Sequence, residues 1–259
     1  MRKRTAGVLT SLVLVLTCAP DAAAQTTAQA ALQAVPQGAA DSLTVDEIVA
    51  KHLETKGGAD QWKSIQTQKM TGIAIAQGFE LAMTVYAKRP NVSRQELTLQ
   101  MSGQPAVTIV NLFDGTKAWT INPMSGSSVP QEMPAAQTAT AMAQSDFDGA
   151  LIDSQAKGYS VTLLDPVTIS NKKAIHLRVA KEDVPTQHFY LDPVTFVELR
   201  IATEGVSASE TDLSDYKDID GVMVPHSIRI SQGGTLQAEL KILTVEFNTP
   251  LDDALFRVK

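Results

Sequence analysis

Apolar and polar residues alternate along most of this chain. From Thr67 to Phe247 they do so in runs of about 7 to 12 residues, separated by Gly, Asp-Gly, Pro or Asn. Alternation with a period of two is typical of strands that bury one face. The pattern predicts an antiparallel meander of about eleven strands. Because so many twisted strands rarely form one flat sheet, we expect an incomplete, strongly curved barrel.

A helical pattern precedes these strands. Thr44 and Glu47 have the spacing of a capping box, and Gly57-Gly58 stands where the helix should end. One face of this helix is an apolar stripe of Val45, Ile48, Val49, His52 and Leu53. A helix with one apolar face must pack against another apolar surface, so we expect a mainly β, α+β fold in which this helix covers part of the sheet.

Residues 123–157 interrupt the alternation. Their composition predicts a loop followed by one or two short helices. The segment contains Met124, Met133 and Met142, and methionine side chains repack readily around apolar groups of different shape. We therefore interpret residues 123–157 as a lid over the open, concave side of the sheet.

The strand pattern also suggests which residues line the concave side. Phe79, Leu81, Met83 and Val85 share one face of a strand, and Val110 is expected to oppose Trp119 across the turn at Asp114-Gly115. A curved apolar face with little helix to cover it is typical of a binding cavity. The alternative for each of these residues is that it only fills the core.

One hairpin places an acidic residue opposite a histidine. If Asp220-Gly221 is a two-residue turn, Asp215 faces His226 across the two strands. The next connection predicts a three-residue loop at 232–234, which places His226 on the apolar face beside Leu240. The pair is either a structural contact at the polar end of a cavity or, as in a hydrolase, a general base and the acid that orients it.

The motifs of enzymes and metal sites are missing from the sequence. It has no Gly-x-Ser-x-Gly elbow and no cysteine beyond the expected signal peptide, so a nucleophile for the Asp215–His226 pair is not evident. The four histidines lack the spacing of metal ligands. We predict a protein that is not an enzyme and needs neither a cofactor nor a metal.

The N-terminus has the features of a secretory signal peptide. A basic start, a short apolar run and Ala22-Ala23-Ala24 predict cleavage after Ala24 and export to the periplasm. An alternative is a lipid anchor on Cys18, the single cysteine. Residues 25–42, rich in Ala and Gln, are expected to form a flexible leader, and residues 43–259 a single domain.

The mature chain is acidic and lacks a long apolar segment. Removal of residues 1–24 changes the formal net charge from −6 to −8, because three basic residues and Asp21 are lost. An acidic surface without a Lys/Arg block argues against nucleic acid as a partner. No stretch of the mature sequence has the roughly 20 apolar residues that a transmembrane helix needs.

Several motifs together resemble one protein family. In order they are "DEIVAKHLETKGGADQWKSIQTQKMTG", "YAKRPNVSRQEL", "FDGTKAWTINPMSG", "SDYKDIDGVMVPHSI" and "VEFNTPLDDALF". The set is similar to the outer-membrane lipoprotein-sorting proteins of the LolA/LolB-like group, from about Val45 to Phe256. The resemblance implies an open half-barrel with an apolar concave interior and helices across its mouth.

The resemblance also implies a function. It suggests a periplasmic carrier of lipid or lipoprotein acyl chains, which receives its cargo from an inner-membrane donor and passes it to an outer-membrane acceptor. Some members of the group instead regulate envelope-stress responses, so a sensor that binds a protein partner is the alternative.

Overall fold

The computed structural model describes residues 43–182, 184–205 and 208–258, with only the backbone of Ser127. The expected signal peptide, the leader and Cys18 lie outside the described residues. Three α-helices are present: α1 (Val45–Glu54), α2 (Ala59–Ser64) and α3 (Ala135–Gln144). Two short 3₁₀ helices cover Pro123–Ser125 and Asp253–Phe256.

The strands belong to one antiparallel sheet. They are β1 (Thr67–Ala76), β2 (Phe79–Lys88), β3 (Val92–Leu99), β4 (Val107–Phe113), β5 (Ala118–Asn122), β6 (Ser127–Glu132), β7 (Ser160–Ile169), β8 (Lys172–Lys181), β9 (Val184–Leu191), β10 (Glu198–Thr203), β11 (Ser209–Ile219), β12 (Val222–Gln232) and β13 (Thr235–Phe247).

The order of these strands confirms the expected open half-barrel. It runs β6-β5-β4-β3-β2-β1-β13-β12-β11-β10-β9-β8-β7, so β1 and β13 pair in the middle of the sheet. The sheet has 13 strands, more than the sequence pattern predicts. One additional strand is β6, which lies in the segment expected to be a lid.

The two edge strands of the sheet are β6 and β7, and each contains a proline. Pro130 lies within β6, and Pro166 lies where the pairing of β7 with β8 is irregular, between Leu164 and Val167. Proline donates no backbone hydrogen bond and is therefore confined to strand edges and bulges. Both edges are protected in this way against pairing with another chain.

Helix α1 begins as the sequence predicts. Thr44 accepts a hydrogen bond from the backbone of Glu47, and the Glu47 carboxylate accepts one from the backbone N–H of Thr44 at 2.8 Å. The chain then turns at Gly57 and Gly58, whose φ angles are 79° and 86°. Only glycine adopts such angles without cost, so the turn into α2 depends on this pair.

Strands β1 and β13 approach each other very closely at one point. Their register shifts between Thr71 and Gly72, and a Cβ atom on Gly72 would overlap the carbonyl oxygen of Lys241. Gly72 has no left-handed φ, so the lack of a side chain, and not conformational freedom, is what the site requires.

The hairpin of β11 and β12 has the predicted register at most positions. Asp212 pairs with Arg229, Leu213 with Ile228, and the turn is closed at Asp220-Gly221. The next hairpin differs from the prediction. Its turn has two residues, Gly233 and Gly234, and Ile228 pairs with Leu240. Because the predicted register differs by two residues, the inward faces are nevertheless correct.

Candidate functional site

The concave face of the sheet is a continuous apolar surface. Alternate residues of the strands from β3 through β1 and β13 to β8 point into it and belong to one buried cluster. The central members are Leu81, Met83, Val85, Leu97, Val224, Ile228, Leu240, Ile242, Phe189 and Leu177. This is the face on which the sequence predicts that a lipid acyl chain binds.

An irregular segment of the protein fills this face. Residues 145–159, here called the covering segment, contain no regular helix or strand, and β7 begins directly after them at residue 160. Its apolar side chains are nearly inaccessible to solvent: Phe147 is 2% exposed, Leu151 4% and Ile152 4%. The segment therefore occupies the space in which the sequence predicted an empty hollow.

A small cavity remains beneath the covering segment. It measures about 30 Å³, and residues of α1, Trp62, Leu151 and Phe189 line it. A volume of this size holds about one water molecule. It is too small for an acyl chain, so a chain bound at this position would have to displace protein side chains.

Arg89 connects the covering segment to the body of the protein. Its Nη2 donates a hydrogen bond to Asp148 Oδ1 at 2.7 Å and another to the carbonyl of Trp62 at 3.1 Å, while its Nε donates to the carbonyl of Ile65 at 2.7 Å. Its guanidinium also lies over the Phe147 ring, 4.7 Å from the centroid. One side chain thus joins the end of β2, helix α2 and the covering segment.

Trp62 holds the same segment from helix α2. Its indole Nε1 donates to the carbonyl of Phe147 at 3.0 Å, and the two rings lie 5.8 Å apart. Further along, Ser145 exchanges a hydrogen bond with Ser93 of β3 at 2.6 Å, and Lys63 pairs with Asp153 at 2.7 Å. The attachment to α2 and β3 is thus largely polar.

Lys157 makes contacts within the covering segment. Its Nζ donates to the carbonyl of Gly149 at 2.7 Å and lies 3.3 Å from Asp146 Oδ2. Burial raises the pKa of Asp146, although the nearby Lys157 opposes this. These contacts fold the segment into a compact unit between α3 and β7.

A buried polar cluster lies at the helical end of the sheet. Glu198, 4% exposed, is 3.2 Å from Lys56 Nζ and 3.5 Å from His52 Nε2, and Tyr216 donates to its backbone carbonyl at 2.8 Å. Burial acts to raise the pKa of Glu198, but Lys56 and His52 outweigh it and lower the pKa to about 2. For His52, burial lowers the pKa despite the attraction of Glu198. The cluster fixes α1 to β10 and β11.

The predicted cavity residues divide into three groups. Leu81, Met83 and Val85 are buried on the concave face, as expected. Met133 and Met142 join a second small cluster formed with Phe113 and Ala118. Phe79, at the start of β2 on the same face as Leu81, and Met124, in the 3₁₀ helix Pro123–Ser125, are instead largely exposed.

Val110 and Trp119 also lie elsewhere than expected. Val110 pairs with Ile121 and Trp119 with Leu112, because the connection at Asp114-Gly115 is longer than a two-residue turn. Both residues belong to the outer face of the sheet, where they line a groove of about 430 Å³ beneath the C-terminal segment. They are therefore not part of the concave surface.

Asp215 and His226 do not form a pair. Asp215 has a φ of 52°, its side chain is 61% exposed, and it lies 3.7 Å from Lys217. His226 is buried on the apolar face as predicted, and its Nδ1 donates to the carbonyl of Val224 at 3.0 Å. The acid–histidine arrangement on which the hydrolase interpretation depends is absent from these two positions.

Arg89 and Trp62 are not among the residues that the sequence pattern predicted for the site. Arg89 belongs to the quoted motif "YAKRPNVSRQEL" and Trp62 to the first motif, so both carry the family resemblance. A charged residue followed by Pro90 at the end of an apolar strand could have indicated a site residue. The strand ends before the proline, so the charged side chain must find partners at that end of the sheet. Its partner Asp148 comes from a segment without any period.

Among the helices of the described residues, none combines the length and hydrophobicity of a membrane span. No protein-family model and no curated protein sequence matches this chain.

Solved structures do share its architecture. One is described as an outer membrane lipoprotein-sorting protein domain from Vibrio parahaemolyticus: it is 12% identical, with a TM-score of 0.56 over 82% of this chain and 97% of that chain. A LolA superfamily protein from Nitrosomonas europaea is 16% identical, with a TM-score of 0.55 over 83% and 98%. A DUF1329 family protein from Desulfovibrio piger is 13% identical, with a TM-score of 0.53 over 81% and 97%. At these identities the similarity concerns the fold alone, and this chain has the fold that these three proteins share.

Proposed function

We propose that this protein is a periplasmic, non-enzymatic carrier that binds the acyl chains of lipids or lipoproteins on the concave face of its half-barrel. The observation that carries the proposal is the cover of that face. An open sheet with a continuous apolar surface is covered by the irregular covering segment and short helices, and within residues 43–258, where described, no second sheet lies against it.

Loading would replace protein side chains by lipid. The side chains of Phe147, Leu151 and Ile152 belong to the buried cluster of the concave face, and an acyl chain that replaced them would meet the same apolar neighbours. Each CH₂ group removed from water contributes about 0.8 kcal/mol, so one long chain can offset the loss of these contacts. Residues 123–157 then act as the lid that the sequence predicts, with the covering segment as its moving part.

The polar attachments of the covering segment suit such a displacement. Asp148, Asp153 and Ser145 can exchange their partners for water when the segment moves out. Their contacts therefore favour the closed form without making it permanent. Delivery would reverse the exchange, as the segment returns to the concave face.

A photoreactive fatty acid tests this proposal. The mature protein is incubated with palmitic acid that carries a diazirine, irradiated and digested, and the labelled peptides are identified by mass spectrometry. Label on β2, β12 or the covering segment is the expected result. The outer face of β4 and β5, with Val110 and Trp119, is the internal control. Label confined to that outer groove, or no label at all, would overturn the proposal.

Donor and acceptor proteins follow from the same proposal. A carrier of acyl chains needs an inner-membrane source and an outer-membrane destination, as the sequence resemblance implies. The sensor with the same fold stays a prediction from the sequence. It requires a protein partner whose binding is independent of the acyl chain.

A further inference from the structure

Four consecutive hairpins end along one edge of the sheet. In spatial order they are the connections β5–β6, β3–β4, β1–β2 and β12–β13; together with adjacent strand residues they cover residues 122–128, 100–106, 77–79 and 231–237. Antiparallel pairing brings all four to the same edge, opposite the edge where α1 and α2 contact the sheet. These four connections are here called the hairpin rim.

Each hairpin of the rim exposes one large apolar side chain. The exposed fractions are 55% for Met124, 43% for Met101, 48% for Phe79 and 45% for Leu236. Neighbouring hairpins are two strands apart, so their ends are spaced about 10 Å from one another. Phe79 and Leu236 lie at the centre, where β1 pairs with β13.

The hairpin rim is also free of charge. None of its residues is Asp, Glu, Lys or Arg, whereas the two further connections at the same edge, β8–β9 and β10–β11, contain Glu182 and Glu204. The connections at the opposite edge contain charged residues, among them Arg89, Asp114, Lys117, Asp192 and Asp220. A rim without charges loses little hydration energy when it enters an apolar surface.

We propose that the hairpin rim is a docking surface for a lipid bilayer, into which Phe79, Met101, Met124 and Leu236 insert. Single apolar side chains spaced along a curved edge do not form the contiguous patch that a protein partner would cover. A fluid lipid interface accepts each of them separately. Because the rim has no Lys or Arg, it has no means to attract anionic lipids, and the net charge of −8 expected for the mature chain opposes them.

The role of the docking surface presupposes the proposed function, because a carrier of acyl chains must contact a membrane to load or unload. The opposite edge holds the contacts of α1, α2 and Arg89, so the rim can touch lipid while these attachments face water.

Flotation with vesicles tests the docking surface. The mature protein is mixed with uncharged phosphatidylcholine vesicles and, separately, with vesicles that contain 30% phosphatidylglycerol. We expect the protein to float with the uncharged vesicles and to bind the anionic ones more weakly at low salt. F79S/M124S should lower the partition coefficient at least about tenfold, because two apolar side chains no longer enter the lipid.

Two substitutions outside the rim are matched controls. Val194 is 81% exposed and Leu243 61% exposed, yet Val194 lies at the opposite edge and Leu243 within β13. V194S and L243S should bind vesicles as the wild type does, and circular dichroism should show all variants folded. Failure of the wild type to float, or an equal loss in V194S and L243S, would overturn the docking surface. If the protein does not bind vesicles but self-associates in sedimentation, and F79S/M124S abolishes this self-association, the docking surface is also overturned.

The photoreactive fatty acid separates this inference from the proposed function. F79S/M124S should retain wild-type labelling of the concave face, because Phe79 and Met124 are exposed. Flotation without labelling would contradict acyl carriage and leave the docking surface standing. Labelling without flotation would contradict the docking surface and leave acyl carriage standing.

Discussion

The guanidinium of Arg89 lies 2.7 Å from the carboxylate of Asp148, and this contact joins the end of β2 to the segment that covers the concave face. The two side chains are only 16% and 22% exposed, so solvent screens their attraction less than that of a surface pair. We interpret the pair as the main polar attachment of the closed form.

Substitution D148N should loosen the covering segment. It keeps the shape of the side chain but replaces a charge-assisted hydrogen bond by a weaker one, so we expect the free energy of unfolding to fall by about 1–2 kcal/mol. Amide hydrogen exchange of residues 145–152 should become faster. K117Q is the control, since the Lys117–Glu132 pair is half exposed and its loss should cost less than about 1 kcal/mol. Unchanged exchange in residues 145–152 would contradict the role given to Asp148.

The buried cluster around Glu198 should make stability depend on pH. The pKa of Glu198 is lowered from its usual 4.5 to about 2, so the folded protein holds this proton less tightly than the unfolded chain does. The stabilisation is therefore fully present above pH 4.5 and is lost as the pH falls towards 2. It is on the order of 3 kcal/mol.

Urea unfolding of the wild type and of E198Q at several pH values measures this contribution. The difference between the two proteins should be largest above pH 5 and should shrink as the pH approaches 2. E246Q is the control, because the Glu246 side chain is 46% exposed at the surface. A difference between the wild type and E198Q that does not vary with pH would show that Glu198 is not ionised in the folded protein.

Gly72 should not tolerate a side chain. In G72A the added methyl group overlaps the carbonyl oxygen of Lys241, so β1 and β13 must separate locally. We expect a loss of about 2–3 kcal/mol in the free energy of unfolding, measured by urea denaturation. T71A, at the neighbouring residue of the same irregularity, removes only the hydrogen bond to Thr244 and should cost about 1 kcal/mol. Equal effects would show that the sheet relaxes freely at this point.

The sequence predicted much of the fold because burial imposes a period on each strand. Leu81, Met83 and Val85 alternate with polar residues and are buried together. Alternation does not reveal where a strand leaves the core, and for this reason Phe79, the first residue of the same strand, is exposed at the hairpin rim. The alternation of apolar and polar residues thus predicts which face of the sheet a residue lies on better than it predicts how deeply the residue is buried.

Turn geometry limited the predicted site. The Asp114 carboxylate accepts hydrogen bonds from the backbone of Thr116 and Lys117, which extends the loop so that Phe113 pairs with Ala118. The register of Trp119 changes as a result. At Asp215 a left-handed φ turns the side chain outward, although the pairs on either side keep the predicted register. Neither effect has a periodic signal in the sequence.

The covering segment was the largest gap in the prediction of the site. Phe147, Leu151 and Ile152 have no strand period, and their burial depends on contacts with distant residues such as Trp62 and Arg89. Local pattern cannot contain such information. The sequence therefore predicted a lid over an apolar concave face, but not which side chains of the lid are buried against that face.

A disulfide across the edge of the covering segment tests the central claim most directly. The Oγ atoms of Ser93 and Ser145 lie 2.6 Å apart, and the chain has a single cysteine, Cys18, within the expected signal peptide. In S93C/S145C the bond would fasten the segment to β3. The control is T71C/T244C, whose hydroxyl oxygens are also 2.6 Å apart but join β1 and β13 on the exposed face.

Fatty-acid binding to both variants is measured with and without reductant, by native mass spectrometry of the mature protein. If acyl chains bind beneath the covering segment, oxidised S93C/S145C should lose binding and regain it on reduction, while T71C/T244C should bind in both states. Undiminished binding to oxidised S93C/S145C would contradict the account.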